Sequence, residues 1–275
     1  LMAFLERFEH MIAVLVDADA CRRVAYENVE DALFEGIDYV ELRFSPYFMA
    51  RTHDMHMVEV LEACADGVRA AERDTGVRAN IIAGLSRTYG VETCMQELEA
   101  ILAVRDQVTA VDLAGDEGGF PAPLFVEHFK RVRDAGLHVT IHAGEVLGPE
   151  SVWSAINDLG AERIGHGYRS IEDPALVDFL VEKDIGLECC PTSNLHISAI
   201  SDYASHPIKP LADKGVKFCL NTDDPGISAI DLAHEYNVAA PAVGLSAEQV
   251  CKSQHDALDM AFLSGQEKLE LRKKA

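Results

Sequence analysis

The sequence predicts an α/β fold of the TIM-barrel type, with parallel strands covered by helices. Short apolar segments alternate with helical segments seven times along the 275 residues, and such alternation is typical of a parallel sheet with helices on its faces. The strand segments are apolar at successive positions, as strands buried on both faces are. Polar residues follow several strands. A closed barrel brings such strand ends around one pocket, whereas an open sheet separates strands three positions apart by roughly 14 Å.

The chain opens with two helical segments, 1–16 and 19–36. Acidic residues near Asp17 and Asp19 are expected to cap the second of them, and Gly36 to end it. Seven strand segments follow, at 38–44, 79–85, 108–114, 138–143, 163–167, 187–190 and 217–222. Helical segments lie between and after them, at 57–76, 91–106, 123–136, 149–160, 173–186, 206–215, 229–240 and 246–264.

Most helical segments end on a glycine just before the next strand, as helices with a left-handed C-terminal residue do. These glycines are Gly36, Gly76, Gly136, Gly160, Gly186 and Gly215. No linker or low-complexity tract divides the chain. Residues 1–275 are therefore predicted to form a single domain.

The acidic composition limits the kinds of molecule that this protein is expected to bind. Lys plus Arg number 24 against 46 Asp plus Glu, for a formal net charge of −22, which repels nucleic-acid phosphates and anionic membranes. A neutral or cationic small molecule is the partner that this charge allows, and the oligomeric state stays open. The seven cysteines include no C-x-x-C pair, which favours reduced thiols in a cytoplasmic protein. No apolar run reaches a membrane span of roughly 18 residues, and no signal peptide opens the chain.

Candidate metal ligands lie at the ends of strand segments. His142 ends the apolar segment 138–143, and His166 stands between two glycines in "RIGHG". Asp223 and Asp224 are adjacent in "CLNTDDPG", at the end of the last strand segment. Imidazole and carboxylate together suit zinc or iron. The sequence therefore indicates a metal site at one edge of the sheet.

Each of these features also has a simpler interpretation. A strand histidine is often structural, the Asp pair can make an Asx turn or cap the next helix, and Glu145 can be an acid at a helix start. "DLAGDEGG" alone can be a glycine-rich turn. Their occurrence at four strand ends, in barrel order, favours a shared site.

Together these segments resemble the adenosine deaminase family of the metal-dependent amidohydrolase superfamily, and the bacterial members in particular. The resemblance covers essentially the whole chain and is carried by "DLAGDE" (112–117), "HAGE" (142–145), "IGHG" (164–167), "CPTSN" (190–194) and "NTDDPG" (221–226). It implies a (β/α)8 barrel, one divalent metal ion, usually Zn²⁺, and hydrolytic deamination of adenosine and 2′-deoxyadenosine in purine salvage. The implied partner is a purine nucleoside.

The resemblance also implies roles for individual residues. His142 and Asp223 are expected to ligate the metal, and Glu145 to be the acid beside purine N1, which requires this carboxyl to be protonated in a dry pocket. A metal that lowers the pKa of water to about 7 makes hydroxide available at neutral pH. The Ala-Gly turn between His142 and Glu145 lets the acid fold back over the pocket.

The remaining implied roles concern water and the purine ring. His166 is expected to orient and polarise the metal-bound water, and Asp224 to assist it while reaching purine N7. The backbone N–H of Gly115 is expected to meet purine N3.

Part of the family pattern is absent from this sequence. The family carries H-x-H on its first strand, which supplies two further metal ligands, and no H-x-H occurs in these 275 residues. We therefore expect the first strand of the barrel to be missing, and these residues alone to bind zinc weakly and to be inactive. His53 and His56 in "RTHDMH" are alternative ligands, although exposed histidines are the simpler interpretation. Two other functions stay open: an adenine or other aminopurine deaminase, or an inactive barrel that binds purine nucleosides.

Overall fold

Seven parallel strands confirm the predicted βα alternation within residues 10–274, the part of the chain that the computed structural model describes. The predicted helix at 1–16 lies mostly outside the described residues. Hydrogen-bonded neighbours follow the chain order from β1 to β7, as in a (β/α)8 barrel, so the predicted fold class is confirmed. The strands are β1 (Tyr39–Phe44), β2 (Arg78–Ser86), β3 (Ala110–Ala114), β4 (His138–Ala143), β5 (Arg163–His166), β6 (Gly186–Cys189) and β7 (Phe218–Leu220).

Helices separate the strands. Before β4 lie α1 (Ala18–Phe34), α2 (Pro46–Ala50), α3 (Met57–Thr75), α4 (Val91–Ala103) and α5 (Val126–Asp134). Between β4 and β7 lie α6 (Pro149–Ser154), α7 (Pro174–Glu182), α8 (Pro191–His196) and α9 (Ile208–Asp213). After β7 come α10 (Pro225–Ser228), α11 (Leu232–His234), α12 (Ala240–Ala242), α13 (Ala247–Met260) and α14 (Gly265–Arg272). Single π-helical turns, Ala155–Leu159 and Glu235–Ala239, continue α6 and α11.

The described residues group into two compact units, and the prediction of a single domain stays a prediction. The first unit comprises 10–115, Glu127–Val139 and 264–274. In it β1, β2 and β3 pair in parallel, and β3 pairs with the start of β4. Helix α1 begins at the predicted cap, since the Asp17 carboxylate accepts the N–H of Ala20 at 2.8 Å. Helix α1 packs against α3, and a side chain at Gly67 would collide with the carbonyl of Arg22.

The second unit comprises Asp116–Val126 and Thr140–Leu263. It contains the rest of β4 and the strands β5, β6 and β7, again paired in parallel. Strands β5, β6 and β7 are buried along their whole length, as strands of a parallel sheet covered on both faces are. Two buried charged residues on them, Arg163 and Glu188, pair with each other at 2.8 Å. The register sets His142 beside Gly165 and Ala143 beside His166.

Five of the six predicted glycine ends are confirmed. Gly36, Gly76, Gly136, Gly160 and Gly215 all have φ between +73° and +86°. The prediction for Gly186 is wrong, because this residue is the first of β6. The left-handed residue after α7 is Asp184, with φ of +57°. Gly186 instead lies against the side chain of Met260, which a Cβ at this position would displace.

The cysteines agree with the prediction of reduced thiols. All seven are free, and six of them are buried, the exception being Cys251. Within residues 10–274 we find no helix that is both long and apolar enough to cross a bilayer.

Candidate active site

Two neighbouring strands bring His142 and His166 together. His142 lies on β4 opposite Gly165 on β5, and His166 is the last residue of β5. The centroids of the two imidazole rings lie 5.0 Å apart with planes at 62°. A Cβ at Gly165 would lie 3.1 Å from Nδ1 of His142. The glycine before His166 therefore leaves room for the imidazole of the adjacent strand.

Asp223 joins the two histidines from the end of β7. One ligand atom each of His142, His166 and Asp223 lies within 4.8 Å of the others. The carboxylate of Asp223 is 25% exposed, and its Oδ2 lies 4.0 Å from Nε2 of His166 and accepts the hydroxyl of Ser193 at 2.7 Å. His166 and Asp223 both have positive φ, +59° and +60°. Non-glycine residues in this region are held there by their surroundings and cluster at functional sites.

Glu145 lies beside this cluster. Its Oε1 is 3.6 Å from Nε2 of His166, and its side chain is 14% exposed. The preceding Gly144 has φ of +69°, and a Cβ there would lie 2.6 Å from the side chain of Val152. Both the left-handed backbone and the lack of space therefore favour glycine at position 144. The predicted Ala-Gly turn brings the carboxyl of Glu145 next to His166.

The loop around Glu145 is held by a buried carboxylate, that of Glu117. Its Oε1 accepts the N–H of Gly144 at 2.7 Å and the hydroxyl of Ser151 at 2.5 Å. Its Oε2 accepts the N–H groups of Val146 and Leu147 at 2.7 and 3.0 Å. The residues on both sides of Glu145 are thus bound to one side chain that is 3% exposed. "DLAGDE" contains Glu117, but no local signal indicates this contact.

Asn194 and His206 form a second buried group that sequence reasoning missed. Nδ2 of Asn194 lies 3.2 Å from Oε1 of Glu145 and 3.3 Å from Nδ1 of His166. Nε2 of His206 lies 3.1 Å from Oδ1 of Asn194. Burial, with a smaller contribution from His166, lowers the pKa of His206 to about 4. Asn194 lies in the quoted segment "CPTSN", whereas nothing in the sequence singles out His206.

The other two predicted residues, Gly115 and Asp224, follow strands β3 and β7. Gly115 follows β3 in the first unit with φ of +108°, and a Cβ there would collide with the side chain of Thr88. Asp224 precedes α10, and its carbonyl accepts the N–H groups of Ile227 and Ser228. Its side chain does not cap that helix, which removes one of the simpler interpretations of the Asp pair.

The alternative ligands His53 and His56 are both exposed. A ring nitrogen of His53 lies 3.0 Å from the carbonyl of Ala13. Neither belongs to the potential metal-binding group found in residues 10–274. The thiols of Cys189 and Cys190 are buried, and burial holds their pKa well above the usual range, so they lack thiolate character.

The donor set of the cluster fits zinc. Neutral imidazole and carboxylate are ordinary zinc ligands, and catalytic zinc sites combine at least three ligands with water. His142 and Asp223 offer two such groups at strand ends, with the imidazole of His166 beside them, so the described residues supply part of a zinc site. A strand end fixes a ligand more firmly than a loop does, which is what a metal site requires.

Comparison with known proteins identifies the family of the chain. The family model described as adenosine deaminase matches residues 1–275. The adenosine deaminase of Escherichia coli O1:K1 is 56% identical over 274 residues, which is 100% of this chain and 82% of that protein.

Solved structures show the same fold. The adenine deaminase of Arthrobacter aurescens has a TM-score of 0.93 at 25% identity, over 98% of this chain and 83% of that one. The N6-methyl-AMP deaminase of Arabidopsis thaliana has a TM-score of 0.86 at 27% identity, over 99% and 82%. The chain therefore belongs to the adenosine deaminase family, a family of hydrolases in the amidohydrolase superfamily.

Proposed function

We propose that this protein hydrolyses adenosine and 2′-deoxyadenosine to the corresponding inosines and ammonia, a purine salvage reaction, with one zinc ion as cofactor. The observation that carries the proposal is the meeting of His142, His166 and Asp223 within 4.8 Å, with Glu145 3.6 Å from His166. The 56% identity to an adenosine deaminase supports the choice of substrate.

His142 and Asp223 are the residues that would hold the zinc ion. Zinc acts as a Lewis acid that lowers the pKa of water to about 7, and so supplies a nucleophile at neutral pH. The strands β4 and β7 provide the rigidity for both ligands. Ser193 donates a hydrogen bond to Oδ2 of Asp223, and such outer partners orient ligating carboxylates.

Glu145 would supply the proton that makes the purine ring reactive. A purine resists attack at C6, and protonation of N1 makes that carbon electrophilic. In its protonated form Glu145 is the donor that this step needs. Its side chain is 14% exposed, and Glu117 holds the backbone on either side of it.

His166 and Asp224 would act on the attacking water, and Gly115 on the substrate. His166 is 3% exposed and lies next to both Glu145 and Asp223, so its ring can orient a water molecule between them. Asp224 would assist His166 and reach purine N7, and the N–H of Gly115 would donate to N3. These last contacts rest on the family resemblance.

The test measures bound zinc and inosine formation from adenosine, for the wild type, Glu145→Gln and the control Glu150→Gln. General acid catalysis contributes on the order of 10²–10⁴-fold, so Glu145→Gln should lose at least about a hundredfold in kcat. Glu150 is an exposed neighbour, and Glu150→Gln should keep the wild-type rate.

The expectation that these 275 residues alone bind zinc weakly and are inactive stays a prediction. The same assay, run with and without an added segment that carries H-x-H, decides it. Robust turnover by the 275 residues alone contradicts that expectation and supports the function. Failure to turn over adenosine under both conditions contradicts the proposed function itself.

Adenine or another aminopurine is the second candidate substrate. The observation in its favour is the TM-score of 0.93 to an adenine deaminase. Because the reacting ring is the same, Glu145 and His166 would keep their roles. Competition between adenosine and adenine in one reaction separates the two: a preference for adenine, expressed as kcat/KM, would replace adenosine as the substrate.

A further inference from the structure

A chain of hydrogen bonds leads from the backbone at Ile208 to the candidate catalytic groups. The N–H of Ile208 donates to Nδ1 of His206 at 3.0 Å. Nε2 of His206 lies 3.1 Å from Oδ1 of Asn194. Nδ2 of Asn194 lies 3.2 Å from Glu145 Oε1 and 3.3 Å from His166 Nδ1. His206, Asn194 and His166 are each at most 3% exposed, so these groups satisfy one another without bulk water.

The proton positions along this chain follow from its first member. A backbone N–H can only donate, so Nδ1 of His206 must be an acceptor. The pKa of His206 is lowered to about 4, chiefly by burial, so the ring is neutral at physiological pH. A neutral imidazole whose Nδ1 accepts carries its proton on Nε2. His206 therefore donates to Asn194.

This donation sets the orientation of the Asn194 amide. An amide side chain can turn by half a rotation, which exchanges its oxygen and nitrogen. Because Nε2–H of His206 needs an acceptor, the oxygen of Asn194 faces His206 and the NH₂ group faces Glu145 and His166. The reverse orientation would place the amide nitrogen against the Nε2–H donor and leave a buried donor unsatisfied.

The amide in turn sets the hydrogen-bonding roles of both candidate catalytic groups. Nδ1 of His166 accepts from Asn194, so a proton on this ring lies on Nε2. That nitrogen faces Glu145 Oε1 at 3.6 Å and Asp223 Oδ2 at 4.0 Å. A protonated ring nitrogen donates and does not ligate a metal. Oε1 of Glu145 also accepts from Asn194.

We propose that His206 and Asn194 are positioning residues that hold Nδ1 of His166 as a hydrogen-bond acceptor, with the ring proton on Nε2, and that orient Oε1 of Glu145. In the site so arranged, His166 is a hydrogen-bond donor, and the metal ligands are His142 and Asp223. The catalytic consequence rests on the proposed function, whereas the hydrogen-bond arrangement does not.

The test is ¹⁵N labelling of histidine with two-bond ¹H–¹⁵N correlation spectra at about pH 7. In the wild type, His206 and His166 should each show the neutral pattern with the proton on Nε2. Signals are assigned by their loss in His206→Phe and His166→Gln. A wild-type His206 that is protonated on Nδ1, or charged, overturns the proposal without any variant.

Variants then test whether Asn194 and His206 set the tautomer of His166. Asn194→Leu and His206→Phe should abolish the single tautomer of His166, and His206→Gln, which keeps an N–H donor, should restore it in part. His128→Phe is the matched control, because His128 is 2% exposed and bonded to the carbonyl of Val91 in the first unit. A His166 spectrum that stays the same in Asn194→Leu and His206→Phe overturns the proposal.

Kinetics separate this proposal from the proposed function. Outer partners of reacting groups contribute on the order of 10–100-fold. Asn194→Leu should therefore lower kcat at least about tenfold, with KM within about threefold, and His128→Phe should change neither. If the wild type turns over no adenosine, the proposed function fails while the tautomer measurement still decides the role of Asn194.

Discussion

Substitution of Glu117 by glutamine is expected to destabilise the loop that carries Glu145. The carboxylate accepts four hydrogen bonds, two on each oxygen, from Gly144, Ser151, Val146 and Leu147. Glutamine has nearly the same shape but a single acceptor oxygen, and its NH₂ group would face donors. The change therefore removes acceptors without creating a cavity.

The magnitude follows from the number of donors left unpaired. If the new NH₂ group takes the place of Oε1, the buried N–H of Gly144 loses its acceptor, while the Ser151 hydroxyl can rotate. If it takes the place of Oε2, the N–H groups of Val146 and Leu147 both lose theirs. An unsatisfied buried donor costs about 1–3 kcal/mol, and hydrogen bonds to a charged group are worth about 1.5–3 kcal/mol. We expect Glu117→Gln to lower the free energy of unfolding by about 2–4 kcal/mol.

The assay is urea unfolding followed by the fluorescence of Trp153, the single tryptophan of the chain. Trp153 lies in α6, two residues after Ser151, and its ring nitrogen donates to Asp173 at 2.9 Å. Its fluorescence therefore reports on the region that Glu117 holds. Glu150→Gln is the control, since the exposed Glu150 carboxylate accepts the N–H of Gly148 at 3.2 Å and should matter by less than about 0.5 kcal/mol. A loss below about 1 kcal/mol in Glu117→Gln would refute the reasoning.

Three further predictions test the metal site, the core and a buried acid. His142→Ala should weaken zinc binding at least about tenfold in calorimetry, whereas His128→Ala should not; equal affinities would contradict the ligand assignment. Cys251 is the exposed cysteine and the other six are buried, so one thiol should react quickly with a thiol reagent in the native protein. Cys251→Ser should remove that fast reaction. Several fast-reacting thiols would contradict the fold. Burial raises the pKa of Glu97 from its usual 4.5 to about 7, so the folded protein favours the protonated form of this side chain. This preference stabilises the fold fully below about pH 4.5. The stabilisation, up to about 3 kcal/mol, is lost as the pH rises through 7. Glu97→Gln should flatten the pH profile of urea unfolding between about pH 5 and 8, and an unchanged profile would contradict this assignment.

Much of the fold was predictable because its signals are local. The strand at His138–Ala143 was predicted with the bounds that the structure has, and Asp17 caps the first long helix as expected. Apolar runs, capping residues and helix-ending glycines each act within a few residues of chain. Gly186 shows the limit of such reasoning, because the side chain that it lies against, Met260, is far along the chain.

The candidate site was predictable only in its parts. The types and order of His142, Glu145, His166 and Asp223 indicated a metal site at strand ends, and the structure brings these four together. The roles of Asn194 and Glu117 were not predictable, because each depends on hydrogen bonds between segments that no local pattern relates.

The order of strands and helices and the chemical types at the strand ends could be predicted from the amino-acid order alone, because periodicity, capping and turn preference are properties of neighbouring residues. Which side chains meet, and which atom of each one donates, depends on how distant segments pack. Strand register places Gly165 beside His142, and the approach of His206 orients Asn194. Hydrogen bonds are short and directional, so the partners and protons of the site follow from three-dimensional position, which is settled when the whole core packs.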